Sequence, residues 1–230
     1  MVDYNNFAKT FAKSRKNMKW EEIDYFLETI LHPQPLSFGG EGSFNILDIG
    51  CGSGRLLEQI SNNYDISKIN YTGIDLSTGL LEEAKKSFPD KEFLNLNMLC
   101  LDSPHLIKEG IKGWSHIFFI ASFHHLDNLE DREEVLKKAY NLLEKGGKIF
   151  MTNWALNSEA NNEKYKSSII KNSDNNFGST DYNILFGTNN RYYHCFDLSE
   201  LDYLAKKNNF KIVENKLFKN KKNFITILEK

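Results

Sequence analysis

Asp48 and Asp75 are the carboxylates best placed to do chemistry in this chain, because each sits at or near the end of a short apolar run and three alternating glycines, Gly50, Gly52 and Gly54, closely follow the first. Asp48 lies in ILDIGCGSG, residues 46 to 54, where Gly50, Gly52 and Gly54 let the backbone turn sharply and approach a ligand with no side chain intervening. Asp75 ends YTGID, 21 residues beyond Gly54, a position from which a carboxylate accepts hydrogen bonds from ribose hydroxyls. A nicotinamide-dinucleotide fingerprint would read GxGxxG, whereas here the third glycine comes one residue early and Arg55 takes the expected place. The pattern points to a nucleoside-bearing cofactor of another kind. The plainer alternative is that the glycines only make a tight strand-to-helix turn.

Both acids need strand tips to hold them, and the surrounding pattern supplies these. Apolar runs at 44–49, 71–75, 92–96, 115–120 and 148–154 alternate with helical patterns at 55–63, 78–88, 104–109 (Ser103 as N-cap) and 130–144. Strands alternating with helices predict an α/β doubly wound fold with a parallel sheet covered on both faces, since parallel neighbours need crossover connections. One domain over residues 1–230 is expected. Residues 1–32 read as two helices, the second with Trp20, Ile23, Phe26, Leu27 and Ile30 as its apolar stripe, and a Pro- and Gly-rich link leads to the cofactor-binding core at 44–154. The polar segment within 155–190 is too long for a routine loop, so it is either an excursion over the site or partly disordered. Asp197 and Glu200 have capping-box spacing ahead of a helix through Lys207, and KIVENKLF and NFITILEK then suggest an antiparallel hairpin.

At the glycine run and Asp75 the chain resembles the class I S-adenosylmethionine-dependent methyltransferases, whose first motif is an acid followed by GxGxG and whose second ends in an acid. The resemblance implies a seven-stranded sheet, mostly parallel with an antiparallel C-terminal strand, and S-adenosyl-L-methionine as cofactor. It also implies that Asp48, Cys51 and the loop from Gly50 to Gly54 hold the methionine end and Asp75 the ribose. Leu76 would pack against adenine, Asn97 and Met98 would lie near the adenine amino group, and Ala121 would join the same set. Asn97 departs from the acid often found there.

Several segments resemble a narrower group, the tRNA methyltransferases that esterify 5-carboxymethyluridine at the wobble position, including the methyltransferase domain of the fused AlkB-type protein. They are YNNFAKTFAKSRKNMKW at the start, IASFHHLDNLEDR at 120–132, KGGKIFMTNWAL at 145–156, RYYHCF at 191–196 and the closing NFITILEK. A carboxylate is already an anion at pH 7, so its methylation needs positioning rather than a strong base. Arginine, with a planar fork that holds a carboxylate or phosphate bidentately, suits that task, and the chain has only Arg15, Arg55, Arg132 and Arg191. Arg191 is assigned to the substrate carboxylate or a nearby phosphate and Arg15 to the cofactor carboxylate, the alternative for each being a surface ion pair.

The same resemblance makes His194 a hydrogen-bond donor to the acceptor. Extended backbone would put Arg191 and Tyr193 on one side and Tyr192 and His194 on the other, so not all four can enter a pocket. His125 either contacts substrate or packs its loop, with His124 structural, and Trp154 either stacks on a base or fills the core.

The remaining composition narrows the setting. Lys and Arg total 29 against 31 Asp and Glu, a net charge of -2, so nothing global favours nucleic acid, although lysines cluster near both ends and could track phosphates. Cys51, Cys100 and Cys195 lie far apart, which suggests neither a disulfide nor a zinc site and fits a reducing cytoplasm. No metal is expected. No membrane segment is expected either: the start lacks a signal-peptide pattern and no apolar run nears the roughly 18 to 20 residues of a span. Expected partners are tRNA and a small zinc-binding activator protein of the kind that eukaryotic members of the narrower group use. The competing readings are a methyltransferase for a small acid or metabolite, and a non-catalytic cofactor-binding subunit.

Overall fold

The structure, a computed structural model, describes residues 12, 18–31, 44–107, 113–170, 177–186 and 189–230. The first predicted helix and Arg15 lie outside the described residues. Helix α1 (Glu21–Leu31) precedes β1 (Phe44–Ile49), α2 (Arg55–Ser61), β2 (Ile69–Asp75), α3 (Thr78–Ser87), β3 (Glu92–Asn95), β4 (Trp114–Ile120), α4 (Leu129–Leu142) and β5 (Leu143–Trp154). Then come a short α5 (Asn162–Tyr165), β6 (Thr180–Phe186), β7 (Asn189–Cys195), α6 (Leu198–Lys207), β8 (Lys211–Leu217) and β9 (Asn223–Glu229).

A seven-stranded sheet runs in the order β3-β2-β1-β4-β5-β9-β8. The pairs among β1 to β5 are parallel, and β9 lies antiparallel between β5 and β8. This is the doubly wound, mostly parallel sheet that the sequence predicts. Side chains of β4 and β5 alternate between two apolar layers: Ile117, Phe119, Ile149 and Met151 join one, and Phe118 and Phe150 the other. Burial on both faces is what a parallel sheet requires. The order of strands reverses between β1 and β4, and the crevice at their carboxyl ends is the ligand site of such sheets.

Two local expectations need correction, and between them the polar stretch, left open as an excursion over the site or partly disordered, takes a definite shape where it is described. Of the helix expected at 104–109, the described residues form a 3₁₀ turn, Pro104–Leu106, with no side-chain cap from Ser103, and 108–109 lie outside the described residues. The polar stretch supplies β6, which pairs with β7 in a two-stranded ribbon whose register sets Tyr182 against Tyr193 and Ile184 against Arg191. Both tyrosines are buried in the core, so the described part of the excursion is anchored. Asp197 does cap α6, accepting from the Ser199 N–H at 2.8 Å, but the Glu200 side chain does not turn back to complete a capping box. It is wholly buried among partners from three other elements.

Candidate active site

β1 delivers Asp48 to the floor of a crevice of about 560 Å³ that opens at the sheet's carboxyl edge. Gly50, Gly52 and Gly54 all have positive φ, at 78°, 55° and 83°. A Cβ on Gly50 would also collide with Ser122, whose hydroxyl donates to Ile49 O at 2.5 Å, so the loop is packed tightly against the end of β4. Asp75 ties that loop to β2. Its carboxylate accepts from Gly52 N at 2.9 Å and Ser77 N at 2.8 Å, and a carboxylate has acceptor capacity left for two ribose hydroxyls.

Asp48 is buried, with the Tyr71 hydroxyl donating to Oδ2 at 2.8 Å while Oδ1 has no partner among the described residues. Burial, less the Tyr71 hydrogen bond and with smaller effects of Asp75 and Arg55, pushes its pKa up to about 7. Burial raises Asp75 as well, against the pull of its backbone donors. Leu76, Asn97 and Met98 form the next wall of the crevice; Leu76 is 42% exposed, and Asn97 Oδ1 accepts from Leu99 N, fixing the turn beyond β3. Ala121 lies in the crevice with φ 52°, a left-handed conformation rare for alanine, held by its N–H donating to Thr152 Oγ1 at 2.9 Å and Thr152 O at 3.1 Å. Cys51 lines the same loop.

The opposite end is aromatic. Trp154 stacks on Tyr193 with centroids 5.0 Å apart and planes at 13°, and the Arg191 guanidinium lies 5.1 Å over the same tyrosine. Arg191, 5% exposed, lines the crevice with His124, His125, Trp154 and Tyr192; burial pulls its guanidinium pKa down. His125 Nδ1 lies 2.9 Å from Tyr192 O, so that nitrogen carries the proton and clips the ribbon to the loop after β4. His125 therefore both lines the crevice and packs its loop. His124 had been expected to be purely structural, yet it too faces the crevice. Its Nδ1 accepts from Trp154 N at 3.2 Å, which leaves the proton on Nε2, a buried donor with no partner among the described residues. Burial holds its pKa well below the usual histidine value, so it is neutral.

His194 is a correction. Alternation along β7 turns it away from the crevice, where Nδ1 meets Asp181 Oδ1 at 2.7 Å and Nε2 meets Glu200 Oε2 at 2.8 Å. Glu200 also binds Arg132 Nη1 at 2.8 Å and Ser179 Oγ at 2.5 Å, and the Tyr192 hydroxyl reaches Asp181 at 2.7 Å. With both ring nitrogens occupied, His194 cannot serve an acceptor; it joins the ribbon to α4 and α6. Burial tends to raise Glu200, but the His194 bond and charge, Ser179 and Arg132 outweigh it and hold it below 4.5. A lowered carboxyl contributes stability above its unfolded pKa and loses that contribution as pH falls through the folded value. Glu200→Ala should thus cost about 3–5 kcal/mol at pH 7, read as a melting temperature lower by on the order of 10 °C, with the gap from wild type closing below pH 4.5.

The expected lysine tracks are largely neutralised where they are described: Lys207 pairs with Glu133, Lys211 with Glu229, Lys216 with Glu214 and Lys221 with Glu159. Among the described residues no group of acids, histidines and cysteines could hold a metal ion, and no helix is long and apolar enough to cross a membrane.

The donors, acceptors and apolar wall, in this order along the crevice, fit S-adenosylmethionine: Asp48 and the glycine loop for the amino-acid end, Asp75 for ribose, Leu76 and Met98 for adenine. A family model for a methyltransferase domain matches residues 47–149. The chain is 31% identical over 150 residues to malonyl-[acyl-carrier protein] O-methyltransferase 1 of Ilyobacter polytropus, covering 64% of this chain and 48% of that protein. It is 29% identical over 163 residues to the tRNA (carboxymethyluridine(34)-5-O)-methyltransferase of Mus musculus, covering 71% of this chain and 21% of that one. It thus spans about half the first relative's length and about a fifth of the second's. Its fold matches a crystal structure of an S-adenosylmethionine-dependent methyltransferase from Clostridium acetobutylicum at TM-score 0.62, with 16% identity and 98% of both chains covered. The architecture is the Rossmann-like class I methyltransferase fold. On that fold, residues 47–149 are the part of the chain that matches the methyltransferase-domain model.

Proposed function

We propose that this chain is an O-methyltransferase whose acceptor is a carboxylate, and that the carboxylate is the 5-carboxymethyl group of a wobble uridine in tRNA. The observation that carries the reading is a buried arginine, Arg191, set beside a stacked Trp154–Tyr193 pair at the end of the crevice away from the glycine loop. The guanidinium would hold one carboxylate oxygen, or both, while the aromatic faces take a planar base. S-adenosylmethionine supplies a methyl group on a sulfonium, to which the carboxylate oxygen adds as the thioether leaves. No proton has to move, which agrees with two neutral histidines lining the crevice. An arginine for the donor carboxylate, the role that sequence resemblance gives to Arg15, completes this reading, with tRNA and a small activator protein as partners in the cytoplasm.

The names of these two relatives, among others that match, point to acceptors bearing a carboxyl group, one on a malonyl group of acyl-carrier protein and one on a carboxymethyluridine. A small or carrier-bound acid is the second reading, favoured by the net charge of -2 and the ion-paired lysines. Incubation with methyl-labelled donor and either unfractionated tRNA or a pool of acids separates them. Alkali-labile label on a single nucleoside is the expected outcome; label on acids alone would reject the tRNA acceptor.

The donor's positive charges favour the ionised form of Asp48, whose free-state pKa is about 7. Affinity for S-adenosylmethionine should fall about tenfold per pH unit below that value, since binding must then release the Asp48 proton. Tyr71, Cys51, Asp75 and Arg55 are the other titratable groups acting on or sensing this carboxyl. Asp48→Asn should flatten the calorimetric pH profile.

A further inference from the structure

The donor's amino-acid end is a zwitterion, and the glycine-loop end of the crevice presents one group of each sign. Asp48 Oδ1 is the buried acceptor. The cation is Arg55, the first residue of α2, which lines the crevice together with Trp20, Asp48 and Gly52. Both residues line the same crevice, and the guanidinium's charge favours the ionised form of Asp48.

Arg55 is held by a built contact. Its guanidinium lies 4.7 Å over the Trp20 ring. Trp20 is fixed in turn by Gln59, one helical turn further along α2: Trp20 N donates to Gln59 Oε1 at 3.2 Å, and Gln59 Nε2 donates to Trp20 O at 2.8 Å and Asp24 Oδ1 at 2.6 Å. Residues four apart lie on one helix face, so α2 grips the tryptophan with Gln59 and lays Arg55 across it. Stacking uses the face of the guanidinium, whereas its donors lie along the edge. Arg55 lines the crevice beside Gly52 and Ser53, and the donors of a guanidinium match a carboxylate.

We propose that Arg55, seated on Trp20, reads the carboxylate of the donor's amino-acid end while Asp48 takes its ammonium. The proposal rests on S-adenosylmethionine being the donor and moves to Arg55 the role that sequence resemblance gives to Arg15. Calorimetric titration tests it with two ligands: S-adenosylhomocysteine, and its decarboxylated analogue S-adenosyl-3-thiopropylamine, which keeps the ammonium and lacks the carboxylate.

Arg55→Met should weaken S-adenosylhomocysteine about ten- to a hundredfold and leave the decarboxylated analogue within about twofold, a selectivity that general loosening of the loop would not produce. Arg55→Lys, which keeps the charge and loses the fork, should fall between. Arg15→Met should weaken S-adenosylhomocysteine less than Arg55→Met does. Equal weakening of both ligands, no weakening of either, or a selective loss that follows Arg15 instead overturns the assignment while leaving the donor reading intact. Failure of the wild-type protein to bind S-adenosylhomocysteine overturns both.

Discussion

Asp75→Ala should weaken binding of S-adenosylhomocysteine by at least about a hundredfold, the largest effect expected of any single substitution in the crevice. Hydrogen bonds to a charged acceptor are worth about 1.5–3 kcal/mol each, and two ribose hydroxyls would lose theirs together. A second loss compounds the first. Gly52 N–H and Ser77 N–H also give up their acceptor, so the glycine loop is untied from β2 and no longer presents a fixed concave backbone. Asp75→Asn keeps one acceptor oxygen and should recover part of the affinity. Calorimetric dissociation constants for wild type and both variants check this; an Asp75→Ala protein within threefold of wild type would mean the ribose lies elsewhere.

Arg191→Lys should lower kcat/KM for the acceptor by about a hundredfold while leaving donor affinity within about threefold. Lysine keeps the charge but loses the planar fork, and its rounder ammonium cannot stack on Tyr193 as the guanidinium does at 5.1 Å. The residue is also 5% exposed, so the more strongly hydrated ammonium bears a greater desolvation cost at the same place. Steady-state kinetics with saturating donor, paired with donor titrations, separates the two roles. Equal losses in donor binding and in acceptor turnover would place Arg191 on the donor instead.

These two predictions draw on different depths of legibility. The glycine-loop half of the crevice was readable because its signals are local: a glycine turn between adjacent runs, with an acid 21 residues on, fixes which strand tips meet. The alternation of runs and helices likewise forced the parallel sheet. The aromatic half depends on β6, which lies in an Asn- and Ser-rich stretch and becomes a strand by pairing with β7. The alternation of Tyr182 and Ile184 was its faint local trace. His194 was misassigned for the same reason. Period-two spacing correctly put it opposite Arg191, but its partners Asp181 and Glu200 come from β6 and α6, and no spacing rule announces a buried network assembled from separate elements. Glu200 had a local explanation as a capping acid and a tertiary one as the hub beside Arg132, and the tertiary one prevails because its charge is wholly buried and must be matched. His124 was underestimated since only packing against Trp154 shows that its Nε2 is a buried donor at the crevice wall.

A crystal structure of the protein with S-adenosylhomocysteine bound tests the central claim most directly, that one nucleoside lies across the tips of β1 and β2. The predicted result has both ribose hydroxyls within hydrogen-bond distance of the Asp75 carboxylate, the adenine against Leu76 and Met98, and the sulfur directed toward Trp154 and Arg191. A nucleoside seated away from Asp75, or a crevice that stays empty at saturating ligand, would contradict it.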